Sequence, residues 1–138
     1  MPEPRCMMTA VFIDDCTSAK SPLLVVPGSH RLELLEAKLH EDAKGYSLYH
    51  LSEDVVEREA NARGIEALTG SGGSVCFMHP NILHGSANNI SPWPRSIMYL
   101  IYNAVSNACT GTKRPWYQNN RDFAPVTTED DDLLRVLA

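Results

Sequence analysis

The sequence predicts a mainly β fold with a helical insertion, built as a single domain over residues 1–138 whose β part is incomplete by itself. Three observations predict it. Apolar residues make up 43% and charged residues 21% of the chain, the balance of a folded domain and far from that of a disordered one. Short runs rich in Val, Ile, Leu, Met, Phe and Tyr recur between Gly, Pro, Asn and Asp. Two stretches with helical spacing lie together between the second and third of these runs.

Taken in order, the strand-like runs cover residues 7–13, 23–26, 74–78 and 97–105. The insertion consists of residues 32–43, with Leu32, Leu35 and Leu39 at helical spacing, and residues 52–63, opened by Ser52 as a candidate N-cap. Beyond Asn107 the chain is polar and turn-rich until Thr127-Thr128-Glu129, which can cap a short final helix reaching Leu137. Four strands are too few to close an antiparallel barrel or to fill the two sheets of a jelly roll.

The formal net charge is -5 and the 12 Lys and Arg are scattered, so there is no basic footprint for nucleic acid. No apolar run approaches the ~20 residues of a membrane span, and the opening Met-Pro-Glu-Pro-Arg-Cys lacks the build of a secretory signal. The expected location is the cytoplasm. The four cysteines, at 6, 16, 76 and 109, form no Cys-x-x-Cys pair and no zinc spacing, and are expected as reduced, mostly buried thiols. Asn89-Ile90-Ser91 matches a glycosylation acceptor, a short pattern of little specificity without a secretory signal.

Chemistry concentrates in residues 73–103. His84 stands just past the third run and Arg95 just before the fourth, with residues 85–94 between them, so a hairpin would bring the guanidinium back toward the imidazole. A neutral imidazole suits Fe(II), and a planar guanidinium grips a carboxylate through two parallel hydrogen bonds. Ser86 adds a hydroxyl beside His84. Singly, each is more often something plainer: a structural histidine, a solvated arginine, a turn serine. The joint pattern reverses those odds: His84-Gly-Ser, then Asn89-Ile-Ser-Pro-Trp-Pro-Arg-Ser96, then a β run ending in Tyr102-Asn103.

That pattern resembles the distal-histidine motif of the phytanoyl-CoA dioxygenase family of iron(II)- and 2-oxoglutarate-dependent oxygenases, most closely as it occurs in ectoine hydroxylases. Pro22-Leu-Leu-Val-Val-Pro-Gly-Ser-His-Arg31 and Arg121-Asp122-Phe123 resemble two further segments of the same family. The resemblance implies the C-terminal half of a double-stranded β-helix, related to jelly rolls and cupins. It also implies a hydroxylase that decarboxylates 2-oxoglutarate to succinate while oxidising a small-molecule substrate with molecular oxygen. His84 would be the distal iron ligand, Arg95 the partner of the far carboxylate of 2-oxoglutarate, Ser86 its helper, and Tyr99 a residue facing the substrate. The Pro27-Gly28-Ser29-His30 turn looks structural, and His30 receives no metal role.

Two departures qualify the resemblance. Ile97 stands where ectoine hydroxylases carry an Asn near the substrate. The family's His-x-Asp pair precedes the segment matching residues 1–5, so residues 1–138 alone are expected to be inactive and, with open β edges, to self-associate. His40-Glu41-Asp42 is formally a His-x-Asp, but residues i and i+2 diverge on a helix, and 32–43 is patterned as one. His79, five residues from His84, is expected to be structural, and His50 and the acidic run 129–132 have no partner pattern. The rival expectation is a non-catalytic family member that binds a ligand or partner; a cupin-like isomerase is disfavoured, having no evident use for Arg95.

Overall fold

The computed structural model describes residues 5–41, 47–108 and 122–127. Its elements are β1 (Cys6–Phe12), β2 (Leu23–Val25), β3 (Lys38–Glu41), β4 (Ser47–His50), α1 (Glu53–Arg63), β5 (Glu66–Leu68), β6 (Val75–Met78), β7 (His84–Gly85) and β8 (Ile97–Asn103). The chain divides into two compact units, Cys6–Tyr102 and a smaller one combining Met1–Arg5 with Asn103–Ala138. The smaller unit is tied by the interlocked amides of Asn103 and Asn107, with Asn107 almost fully buried.

The larger unit contains two three-stranded sheets, ordered β6-β1-β8 and β5-β2-β7, and a separate β3-β4 hairpin. Alternation explains the first sheet. Met8, Ala10 and Phe12 share one face of β1, and the antiparallel register puts Met8 opposite Met78 and Ala10 opposite Cys76. On β2, Leu23 and Val25 are the buried pair, with Leu68 of β5 opposite Leu23. Ala10 and Met78 from one sheet form a single core with Leu23 and Val25 from the other, with Ile82 and Ile97 packed against it. The sheets therefore face each other across one apolar layer.

All four expected strands are present, shifted by a residue or two at their ends. Four more accompany them among the described residues, β3, β4, β5 and β7, each only two to four residues long and so without a readable alternation. The helix expected over 52–63 is α1. Ser52 occupies its N-cap with an extended backbone, Glu53 and Asp54 sit in the first turn and Arg63 in the last, which suits the helix dipole. Glu59, buried, is bracketed by Arg58 at 2.9 Å and Arg63 at 3.1 Å. The hydrogen bonds from Arg63 and then Arg58 hold its carboxyl below the ordinary value.

The helix expected over 32–43 is not there. Residues 38–41 form β3, paired with β4 through Leu39 opposite Tyr49 and His40 opposite Leu48. Only Leu32, Leu35 and Leu39 of the four leucines in these twelve positions fall on one helical face, too narrow an apolar stripe to bury, whereas strand pairing gives the backbone polar groups partners at once. The ground for setting His40 aside changes accordingly: it lies on a strand, exposed, its ring edge-on to His50 at 5.4 Å. Asp42, the final helix toward Leu137 and Arg121 of the Arg-Asp-Phe segment lie outside the described residues.

Candidate active site

Position comes before chemistry for His84. It pairs directly opposite Val25 on β2. Directly opposed residues of an antiparallel pair point to the same face, and Val25 is in the core, so His84 faces the interior between the sheets. Its Nδ1 lies 2.9 Å from the Ile82 carbonyl oxygen. A carbonyl can only accept, so Nδ1 carries the proton and Nε2 keeps its lone pair. That is the arrangement of a metal-binding histidine, whose other ring nitrogen is oriented by a backbone carbonyl. The imidazole is solvent-exposed.

Arg95 and Tyr99 come from the opposite sheet. Ile97 packs against the core, and Tyr99, two residues on, shares its face of β8. Burial pushes the Tyr99 phenol up from its ordinary value, and the nearby positive charge of Arg95 pulls the other way. Ser86, next but one to His84, lies just beyond the end of β7.

The expected hairpin between His84 and Arg95 is not formed: β7 belongs to one sheet and β8 to the other, so the intervening loop crosses between sheets. Asn89 shapes that crossing: its side chain accepts from the Ser91 N–H at 3.0 Å and donates to the Trp93 carbonyl at 2.8 Å. Ser21 Oγ donates to the Ala87 carbonyl at the loop's start. At its end Ser96 donates to the Asp14 carboxylate at 3.0 Å and accepts from the Ile13 N–H at 2.9 Å, which fixes where Arg95 enters β8. None of Ser21, Asn89 or Asp14 was foreseen as a site residue; only the turn-forming Asn-x-Ser-Pro spacing hinted at one of them.

The His79 Nδ1 accepts the Asn81 N–H at 3.2 Å, and its ring rests on that of His30 at 5.5 Å. Among the described residues no group of three or more His, Cys, Asp or Glu converges on a point that could hold a metal. His84 thus fits iron as one ligand and needs further ligands from elsewhere. Two hollows of about 430 and 670 Å³, one around Cys16 and Gly70 and the other beside the β3-β4 hairpin, include none of His84, Ser86, Arg95 or Tyr99.

Residues 1–97 match the model of the phytanoyl-CoA dioxygenase (PhyH) family. An L-proline trans-4-hydroxylase from Streptomyces griseoviridis is 32% identical over 97% of this chain and 54% of its own length. An ectoine dioxygenase from Sphingopyxis alaskensis is 36% identical over 99% of this chain and 49% of its own. The crystal structure of EctD from S. alaskensis with 2-oxoglutarate and 5-hydroxyectoine superimposes with a TM-score of 0.71 at 33% identity, over 91% of this chain and 42% of that one. The same protein with bound Fe gives 0.71 at 35% identity. The chain spans about half the length of these relatives. No helix among the described residues is long and apolar enough to cross a membrane. With a family model covering residues 1–97, the chain belongs to the phytanoyl-CoA dioxygenase family.

Proposed function

We propose that this chain supplies the distal-histidine part of an iron(II)- and 2-oxoglutarate-dependent oxygenase that hydroxylates a small molecule. The observation that carries the reading is His84, turned to the interior opposite Val25 with Nδ1 committed to Ile82 and Nε2 available. When bound with molecular oxygen, iron(II) supplies the chemistry that converts 2-oxoglutarate to succinate and CO2 and delivers the other oxygen atom into a substrate C–H bond. His84 Nε2 holds the metal. Arg95 offers its fork to the far carboxylate of 2-oxoglutarate, and Ser86 adds a hydroxyl donor. Tyr99 then stands between the clamp and the substrate space.

The relatives act on proline and ectoine by name, which points to a compact polar substrate. Ile97 speaks against ectoine itself: it is turned into the core, where an amide would have to find a partner. Free thiols at Cys6, Cys16 and Cys76 suit a reducing compartment such as the cytoplasm. The alternative, a ligand-binding module without catalysis, draws on the lack of a complete ligand group among the described residues. The deciding experiment joins this chain to the His-x-Asp-bearing half of a relative and measures Fe(II)-dependent succinate release. Release that disappears with His84→Ala supports the oxygenase; 2-oxoglutarate binding without any release supports the module.

A further inference from the structure

We infer that Ser29 is a positioning residue for His84, acting through the peptide unit between Ile82 and Leu83; this rests on the proposed metal role of His84. Ser29 is 2% exposed, and its Oγ accepts the Leu83 N–H at 2.8 Å across 54 residues of sequence. The other end of the same peptide unit is the Ile82 carbonyl, the group that takes the proton of His84 Nδ1 at 2.9 Å. A peptide unit is planar, so holding its N–H fixes the direction of its C=O. Bonding at the N–H end also polarises the carbonyl and makes it a better acceptor. The serine hydroxyl thus sets both the direction and the strength of the bond that decides which imidazole nitrogen is left for a ligand.

The surroundings are built to make that grip rigid. Val26 N–H donates to the Leu83 carbonyl at 2.9 Å, so both polar groups of Leu83 are held by one turn. The turn is itself closed by Ser29 N–H to Val26 O at 3.2 Å and by Gly28 at φ 75°, a conformation that suits glycine. Next to Ser29, His30 rests on His79, whose carbonyl accepts the Ile82 N–H at 3.1 Å. The Pro-Gly-Ser-His turn therefore meets the loop ahead of His84 at Leu83 and at His79. No sequence pattern pairs 29 with 83, and a serine after glycine reads as ordinary turn chemistry.

The test reads the tautomer of His84 directly, by long-range 15N–1H correlation on 15N-histidine-labelled full chain at a pH where imidazole is neutral, with His84→Ala giving the assignment. In the unaltered protein His84 should be mainly the Nδ1–H form. Ser29→Ala should lower the ratio of Nδ1–H to Nε2–H roughly five-fold, the scale of one net hydrogen bond, and Ser29→Thr, which keeps a hydroxyl, should restore it. If Ser29→Ala fails to fold, Ser29→Cys, of similar size but a poor acceptor, must show the same loss. An unchanged tautomer ratio in a folded Ala or Cys variant overturns the inference. Metal titration of the His84→Ala protein separates the two readings: a tautomer shift with metal binding that ignores His84 leaves the brace standing and removes the metal role, and the converse removes the brace alone.

Discussion

Arg95 is the residue whose proposed chemistry has least freedom, because only a planar guanidinium offers a carboxylate two parallel hydrogen bonds. In a protein completed with a relative's upstream half, Arg95→Ala should weaken 2-oxoglutarate binding by roughly 2–4 kcal/mol, the scale for removing one partner of a charge-assisted pair. Calorimetric titration measures it, and Arg95→Lys should recover only part, lacking the bidentate fork. An affinity unchanged in the Ala variant removes Arg95 from the site. His84→Ala in the same protein should abolish iron-dependent succinate formation while shifting unfolding stability by no more than about 0.5 kcal/mol, since an exposed imidazole packs against little. Both residues could be proposed from the sequence because iron and carboxylate chemistry restrict residue type and the motif holds them in order. Ser29 was not, because what it does depends on a bond 54 residues away, and Ser21 and Asp14 were hidden for the same reason.

The elements that place these side chains were legible in proportion to how far local signals agree. α1 has a cap, acidic residues first and an arginine last, and it forms where expected. The 32–43 stretch has only a narrow apolar stripe, and pairing of Lys38–Glu41 with Ser47–His50 wins. β7 is two residues long and carries no pattern at all; what makes it a strand is the exposed edge of β2. The turn after β2 is sensitive to its backbone: Gly28 has φ 75° and lies close to Arg63, with 3.6 Å from an added Cβ to the guanidinium. Gly28→Ala should therefore destabilise by about 1–2 kcal/mol through left-handed strain, read as a lower urea midpoint with unchanged slope. Within α1, Glu59 titrates below its ordinary 4.5, so between those two values the unfolded chain binds more protons. Its stabilisation is present above about pH 4.5 and lost as the pH falls through the lower folded value. Glu59→Gln should flatten that acid limb of the stability curve; an identical pH slope in urea titrations at pH 3 to 6 would show that the two arginines do not hold the carboxyl down.

At the scale of the whole molecule, the incomplete β part was legible from the strand count, although the number of strands was not. Two sheets do face each other, yet much of the first remains uncovered: Phe77 on β6 is 66% exposed and Ile101 on β8 likewise 66%, with Met98, Tyr99 and Tyr102 each close to half exposed. Apolar surface of that extent in contiguous strands favours association. Residues 1–138 in isolation should sediment as more than monomer, increasingly so with concentration, and a monomer at all concentrations would mean that this surface is covered in some other way. Open surface and the lack of a full ligand group among the described residues would share one remedy, an upstream half carrying the His-x-Asp pair that the family resemblance implies. The most direct measurement is succinate release from 2-oxoglutarate with Fe(II) and ascorbate, comparing residues 1–138 alone with the same chain joined to that half. The chain alone should give no turnover, and the joined protein should give His84-dependent turnover. Sustained, His84-dependent turnover by residues 1–138 alone would contradict it and make His40 and Asp42 the first residues to test as ligands.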